Sequence, residues 1–323
     1  MPTHTPSAFP LLRFSGKILA QPSLLGVQDV IAAGLDGSVA LVTQQGQTRW
    51  RTDLGSPVYG GAVVSNSLIH AASYNGVVLA LHPHGQVRWR TTVQGPIVSP
   101  VVASGDGTLF VSGHGLYALH PSGQVLWRFV TAAPLQGAAA LHPQQLVVVG
   151  TIDGLVLAIH RQGTLAWQYD TRASIVAPVL VQMDGSVFVA TEGQGLIALS
   201  AGGKLLWNFP TPSPIPSRPS FAAKLIVFGC SDGQLVAVDD QGQLSWTFQA
   251  EGSIDAQPQV DRAGRIVFGT AGGFVYALDS HGKLLWEVFI GQAVVASPRL
   301  TSDGTVLVGA NDGVLYALRH SAP

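Results

Sequence analysis

The sequence predicts an all-β fold, an eight-bladed β-propeller of four-stranded antiparallel blades, and three observations carry that prediction. The seven tryptophans, Trp50, Trp89, Trp127, Trp167, Trp207, Trp246 and Trp286, are spaced 39, 38, 40, 40, 39 and 40 residues apart. Each closes one recurring phrase, from DGSVALVTQQGQTRW at the first to GGFVYALDSHGKLLW at the last, and the letters GKLLW occur twice, at Gly203 to Trp207 and at Gly282 to Trp286. Hydrophobic residues make up 47% of the 323 residues and charged ones 11%, with 38 Gly and 20 Pro, a composition of short buried strands separated by turns. A repeat of about 40 residues holding four strands is a propeller blade.

The elements of one repeat follow in order. A stretch such as IVSPVVA (Ile97 to Ala103) carries a proline at a recurring place; because Pro cannot donate to a ladder, this first strand is expected at a sheet edge. A β-branched and aromatic run such as RIVFGT (Arg265 to Thr270) is the second strand. A two-residue turn such as Asp312-Gly313 returns the chain into the third, as in VLYAL. A turn ending in Gly then leads to the tryptophan strand, the opposite edge.

The proline, or its replacement, falls at Pro22, Gly61, Pro100, Ala138, Pro178, Pro219, Pro258 and Pro298, which makes eight first strands for seven tryptophan strands. The last repeat stops at NDGVLYALRHSAP, where its fourth strand is due, while AFPLLRF (Ala8 to Phe14) is left over at the start. These observations predict one propeller domain over 1–323, its ring spanning about 9–319 between short flexible termini, with N- and C-terminal segments sharing the closing blade.

The motif G-x-[LV]-x-A-[LIV] followed by x3-G-x3-W, as at Gly273 to Trp286 and Gly233 to Trp246, resembles the repeats of the pyrroloquinoline-quinone-type propeller family over nearly the whole chain. That resemblance implies a fold shared by quinone-dependent dehydrogenases and by cofactor-free scaffolds such as the lipoprotein of the outer-membrane barrel-assembly machinery. In all of them it implies a tryptophan that docks each blade on its neighbour. It also implies that the dehydrogenases are longer and seat the quinone on a disulfide of adjacent cysteines beside calcium. This chain has one cysteine, Cys230, so no such disulfide can form and no cofactor is expected.

Other chemistries are limited by residue placement. A net charge of −1 offers no footprint for nucleic acid, and no apolar run is long enough to span a membrane. The start lacks a basic, then apolar, leader; the chain as written reads as a cytoplasmic monomer, and as periplasmic or extracellular if a leader has been removed. His82, His84, His120, His160 and His281 fall in or beside turns of different blades, and the Asp-Gly pairs lack the alternating acidic ligands of a calcium loop, so no metal site is expected. Cys230 occupies a place where other repeats carry Thr151, Thr270 or Ala310, and reads as a small semi-buried residue.

Differences between repeats carry more functional information than their common pattern. Beside the proline column, the second to fifth repeats have small or apolar residues with one Ser, whereas the sixth, seventh, eighth and first have Arg218 and Ser220, Gln257 and Gln259, Ser297 and Arg299, Gln21 and Ser23. Three residues before the column all repeats are apolar except the seventh, with Asp255. Inner strands line the channel, so one half of its mouth is expected to be polar. Three readings stay open: an Arg218–Asp255 ion pair with Gln257 and water filling the channel, a contact for a small polar ligand or a partner's side chain with Arg218 or Arg299 as the anion contact, or catalysis with Asp255 as general base. The expected function is a noncatalytic scaffold that binds a protein partner or a small polar ligand; the alternative is a lyase- or hydrolase-type enzyme using the polar half.

Overall fold

The computed structural model describes residues 5–320. It contains eight four-stranded antiparallel sheets and, among the described residues, no helix. Seven sheets take four consecutive strands each, for example Ser220–Ala222, Leu225–Gly229, Gln234–Val238 and Leu244–Gln249 in the sixth blade. The eighth is completed from the other end of the chain. Ser7–Arg13 pairs antiparallel with Val314–Arg319 and forms the outermost strand beside Val306–Gly309 and Arg299–Leu300, with a register shift between Pro10 and Leu12. Ring closure by the two chain ends is therefore as the sequence predicts, with the closing strand starting two residues before the expected edge of the ring. Residues 1–4 and 321–323, within the expected flexible termini, lie outside the described residues.

The burial pattern follows strand position. Second and third strands are buried at nearly every residue, as in SVALVT (Ser38–Thr43), because they pack against a neighbouring blade on each face. The outermost strands alternate between exposed and half-buried, as in LAWQYD (Leu165–Asp170). The connection between second and third strands is longer than the two-residue turn read from the sequence. Gly309 ends one strand and Val314 begins the next, leaving four residues, 310–313, closed by a Gly313 N–H to Ala310 C=O bond of 3.1 Å. Asp312 Oδ1 accepts from the Val314 N–H at 3.0 Å, and Gly313 takes φ +78, so the Asp-Gly pair does serve as turn chemistry.

The doubled phrase marks the joint between blades. Trp127 donates its Nε1–H to the Arg161 carbonyl in the next blade at 2.7 Å, and Trp50, Trp89, Trp167, Trp207 and Trp246 make the same bond to Pro83, Pro121, Ala201, Asp240 and Ser280. Each ring covers the glycine that ends that neighbour's turn: Trp167 lies over Gly203 (φ +77) and Trp246 over Gly282 (φ +79). The glycine of GKLLW thus receives the preceding blade's tryptophan, and its own tryptophan reaches forward to the next blade. Trp286 is the exception, its Nε1 buried without a partner.

Candidate axial binding site

Position along the innermost strands is fixed by the ladders. In the sixth blade one row runs Trp246, Ala237, Val227, Ser220. In the fifth the same row runs Trp207, Ala198, Phe188, Leu180. Ser220 follows Pro219 directly, whereas Leu180 follows Pro178 by two. The proline column of the sequence is thus two adjacent columns, and Arg218 is the structural equivalent of Pro178. Applied to all blades, these registers correct the sequence comparison in one respect and keep it in another.

The correction concerns Asp255. The apolar column is complete without it: Ile18, Val58, Ile97, Leu135, Ile175, Ile215, Ile254 and Val294 are all buried. Each of their N–H groups bonds a carbonyl near the end of the preceding blade's second strand, as Ile254 does to Cys230 at 3.2 Å. Asp255 belongs to the next column, with Leu19, Tyr59, Val98, Gln136, Val176, Pro216 and Val295, where it is the one charged member but not the one polar member. What remains is the asymmetry. Two positions further on, Arg218, Gln257, Ser297 and Gln21 occupy the sixth, seventh, eighth and first blades, against Gly61, Pro100, Ala138 and Pro178 in the second to fifth.

These columns surround a cavity of about 290 Å³ at the axis. All eight members of the Asp255 column line it, together with Gln21, Arg218, Gln257 and Ser297 from the polar half. Its lining residues are the last ones of the connections from each outermost strand to the next blade, which places it at that end of the channel. Residues in the intervening column are small for a steric reason: a Cβ added at Gly60 would run into the Ser99–Pro100 peptide of the next blade.

Four of the six sequence-selected residues, Gln21, Arg218, Asp255 and Gln257, therefore meet at the cavity. Gln259 and Arg299 stand at the start of their innermost strands, two positions further along, and are not among its lining residues. The sequence reading missed Tyr59 and Gln136, because counting from proline placed their column one residue out of step; counting from the buried apolar column would have found them.

Hydrogen bonding divides the polar half. Gln21 Nε2 donates to the Pro298 carbonyl at 2.7 Å, the Gln257 N–H to Ser297 Oγ at 3.0 Å, and Gln257 Nε2 to Ser220 Oγ at 3.0 Å. These amides and hydroxyls join neighbouring blades. Asp255 accepts from the Ser253 hydroxyl. Arg218 makes no hydrogen bond or ion pair among the described residues, and its Nε is buried without an acceptor. Burial with no compensating anion pushes its pKa below the ordinary guanidinium range. The Arg218–Asp255 ion pair weighed as a channel filler does not form.

No three His, Cys, Asp or Glu side chains gather to hold a metal ion among the described residues, and no described helix is long and apolar enough to cross a membrane. Cys230 is buried in the packing between blades, with its thiol pushed up to about 12, first by burial and then by the charge of Asp232.

A closed ring of tryptophan-docked blades around an asymmetric axial cavity defines the class: a PQQ-like repeat β-propeller. A family model described as outer membrane protein assembly factor BamB matches residues 35–120, 112–247 and 237–321, and the chain belongs to that family. No curated protein sequence matches it. Among solved structures it is similar to BamB from Moraxella catarrhalis, with TM-score 0.82 and 19% identity over 98% of this chain and 99% of that one. The computationally designed Ika8 protein aligns with TM-score 0.85 and 18% identity over 96% and 98% of the two chains. Saccharomyces cerevisiae Sqt1 aligns with TM-score 0.84 and 14% identity over the full length of both.

Proposed function

We propose that this chain is a noncatalytic binding scaffold that holds a protein partner over the face around the axial cavity, while the polar half of that cavity takes a small polar ligand. The observation that carries the reading is where apolar surface is left uncovered on that face. Val130 is 66% exposed and Phe289 63%, both at the ends of outermost strands, and the exposed Tyr74 ring lies 5.6 Å from Tyr59, which lines the cavity. Exposed aromatic and aliphatic side chains around a polar centre suit a protein interface. Membership in a family described as an assembly factor supports the same reading. Arg218, Asp255, Gln257 and Gln21 are the polar contacts assigned to that ligand; Gln259 and Arg299 are not among the residues lining the cavity.

A photo-crosslinking residue at Tyr74 tests this, with a second at Met183, which lies in a turn that follows an innermost strand and faces the opposite side. In cells expressing the full chain, a discrete protein adduct is expected from position 74 and none from position 183. Adducts from 183 alone, or from neither position, would overturn the proposal.

A further inference from the structure

An arginine with no anion beside it calls for an explanation, because the guanidinium keeps its charge at any physiological pH and loses solvation when buried. In the axial cavity Arg218 has no acceptor for Nε, and the hydroxyls of Ser217 and Ser99, which also line the cavity, are buried without partners. A guanidinium on the wall of a small cavity with no anion beside it marks a place for an anionic group. Phosphate or another multiply charged anion suits it poorly, since Asp255 lines the same cavity from the adjacent blade. Asp255 is engaged by one hydroxyl and by no cation among the described residues. Across the ring from Asp255 stand Val98 and Pro100 of the third blade and across from Arg218 stands Tyr59 of the second, while Gln136 of the fourth adds an amide to the wall.

We infer that the axial cavity binds a small zwitterion of the free α-amino acid class. Its carboxylate meets Arg218, its ammonium meets Asp255, and its side chain lies against Val98 and Pro100 of the third blade. The inference rests on the reading of the cavity as a binding site and gives that site a ligand class. Both charges are needed, so a peptide terminus, which brings only one of them, is excluded. A cavity of about 290 Å³ is at the lower end of the range for small-molecule pockets, roughly 300–1,000 Å³.

The test titrates the full chain with the common L-α-amino acids by calorimetry and by melting temperature. The same titration is run with amino acid amides, N-acetyl amino acids, acetate and inorganic phosphate. At least one free amino acid is expected to bind at one site per chain and raise the melting temperature, while its amide and its N-acetyl form do not. Arg218→Met and Asp255→Asn should each weaken that binding about tenfold to a hundredfold, the loss expected for a charge-assisted hydrogen bond. Arg218→Met removes an uncompensated buried charge, so this variant should melt at or above the wild-type temperature. Equal affinity in wild type and both variants, or no binding of any free amino acid, overturns the inference. If acetate or phosphate binds through Arg218 while amino acids do not, the ligand class is wrong and the cavity stands as a binding site. If none of the probes binds, the cavity's role as a small-molecule site falls too, while the crosslinking result decides the protein-partner reading separately.

Discussion

Gly203→Ala and Gly202→Ala form a matched pair that tests the blade joint. At Gly203 the backbone has φ +77, and an added Cβ would lie 2.6 Å from Cδ2 of Trp167, the ring that docks there. The left-handed conformation costs an alanine roughly 1–2 kcal/mol. Forcing a methyl into a filled contact costs about 1–3 kcal/mol more. Reduced freedom of the unfolded chain returns roughly 0.4–1 kcal/mol, leaving a net loss of about 1–5 kcal/mol. Unfolding entropy of about 2.1 cal/mol/K per residue over 323 residues makes this a fall of about 1–7 °C in melting temperature. At Gly202 nothing lies within 4 Å of an added Cβ and φ is outside the left-handed region. Only the unfolded-state term acts there, so Gly202→Ala should melt at or slightly above wild type. Thermal and urea denaturation followed by circular dichroism read both variants. Equal melting temperatures for the two would refute the account of why the glycine of GKLLW recurs.

Deleting residues 1–13 strips the outermost strand from the closing blade and exposes the edge of Val314–Arg319; size-exclusion chromatography should show association, or melting should fall by several degrees, whereas an unchanged monomer would mean that the ring closes without this strand. Trp127→Phe loses the 2.7 Å bond to Arg161 and Trp286→Phe loses none, so in urea melts the first should cost about 1 kcal/mol more than the second. Cys230 should resist alkylation in the native protein at pH 8 and react on unfolding. Burial pushes its thiol up to about 12, well above the range of an exposed thiol, so its contribution to stability is intact below about pH 9 and is lost as pH rises toward 12; native labelling at the unfolded rate would contradict this. Pyrroloquinoline quinone with calcium should show no stoichiometric binding by calorimetry, since the lone cysteine cannot form the paired platform.

Spacing of the tryptophans made blade number, strand order and the closing segment legible, because each tryptophan meets a turn glycine at a fixed distance along the chain and this geometry tolerates little drift. The axial site was legible only in part. Arg218, Asp255, Gln257 and Gln21 stood out by chemistry, but their rows were offset by one residue between the two halves of the ring. The cause is local. Innermost strands are as short as two residues, as in Gln259–Val260, and the residues just before them pair with no strand. A proline there forfeits no ladder bond, so it can occupy either of two positions without moving the backbone. Buried apolar residues such as Ile215 and Ile254 have no such freedom, since each N–H is tied to the neighbouring blade. The missing Arg218–Asp255 contact was equally hidden, because adjacency of blades does not fix the direction of side chains.

A partner held on the face around the axial cavity should depend on the apolar side chains exposed there. The most direct test is quantitative co-purification of the crosslinked partner with wild-type protein and with a Tyr74→Lys, Val130→Glu, Phe289→Lys triple variant. These three side chains are exposed, and losing the Tyr59–Tyr74 and Phe274–Phe289 ring contacts should lower the melting temperature by only a few degrees and leave the protein folded. The account predicts loss of the partner, by more than about tenfold, at unchanged fold. Full retention of the partner by the folded triple variant would contradict it.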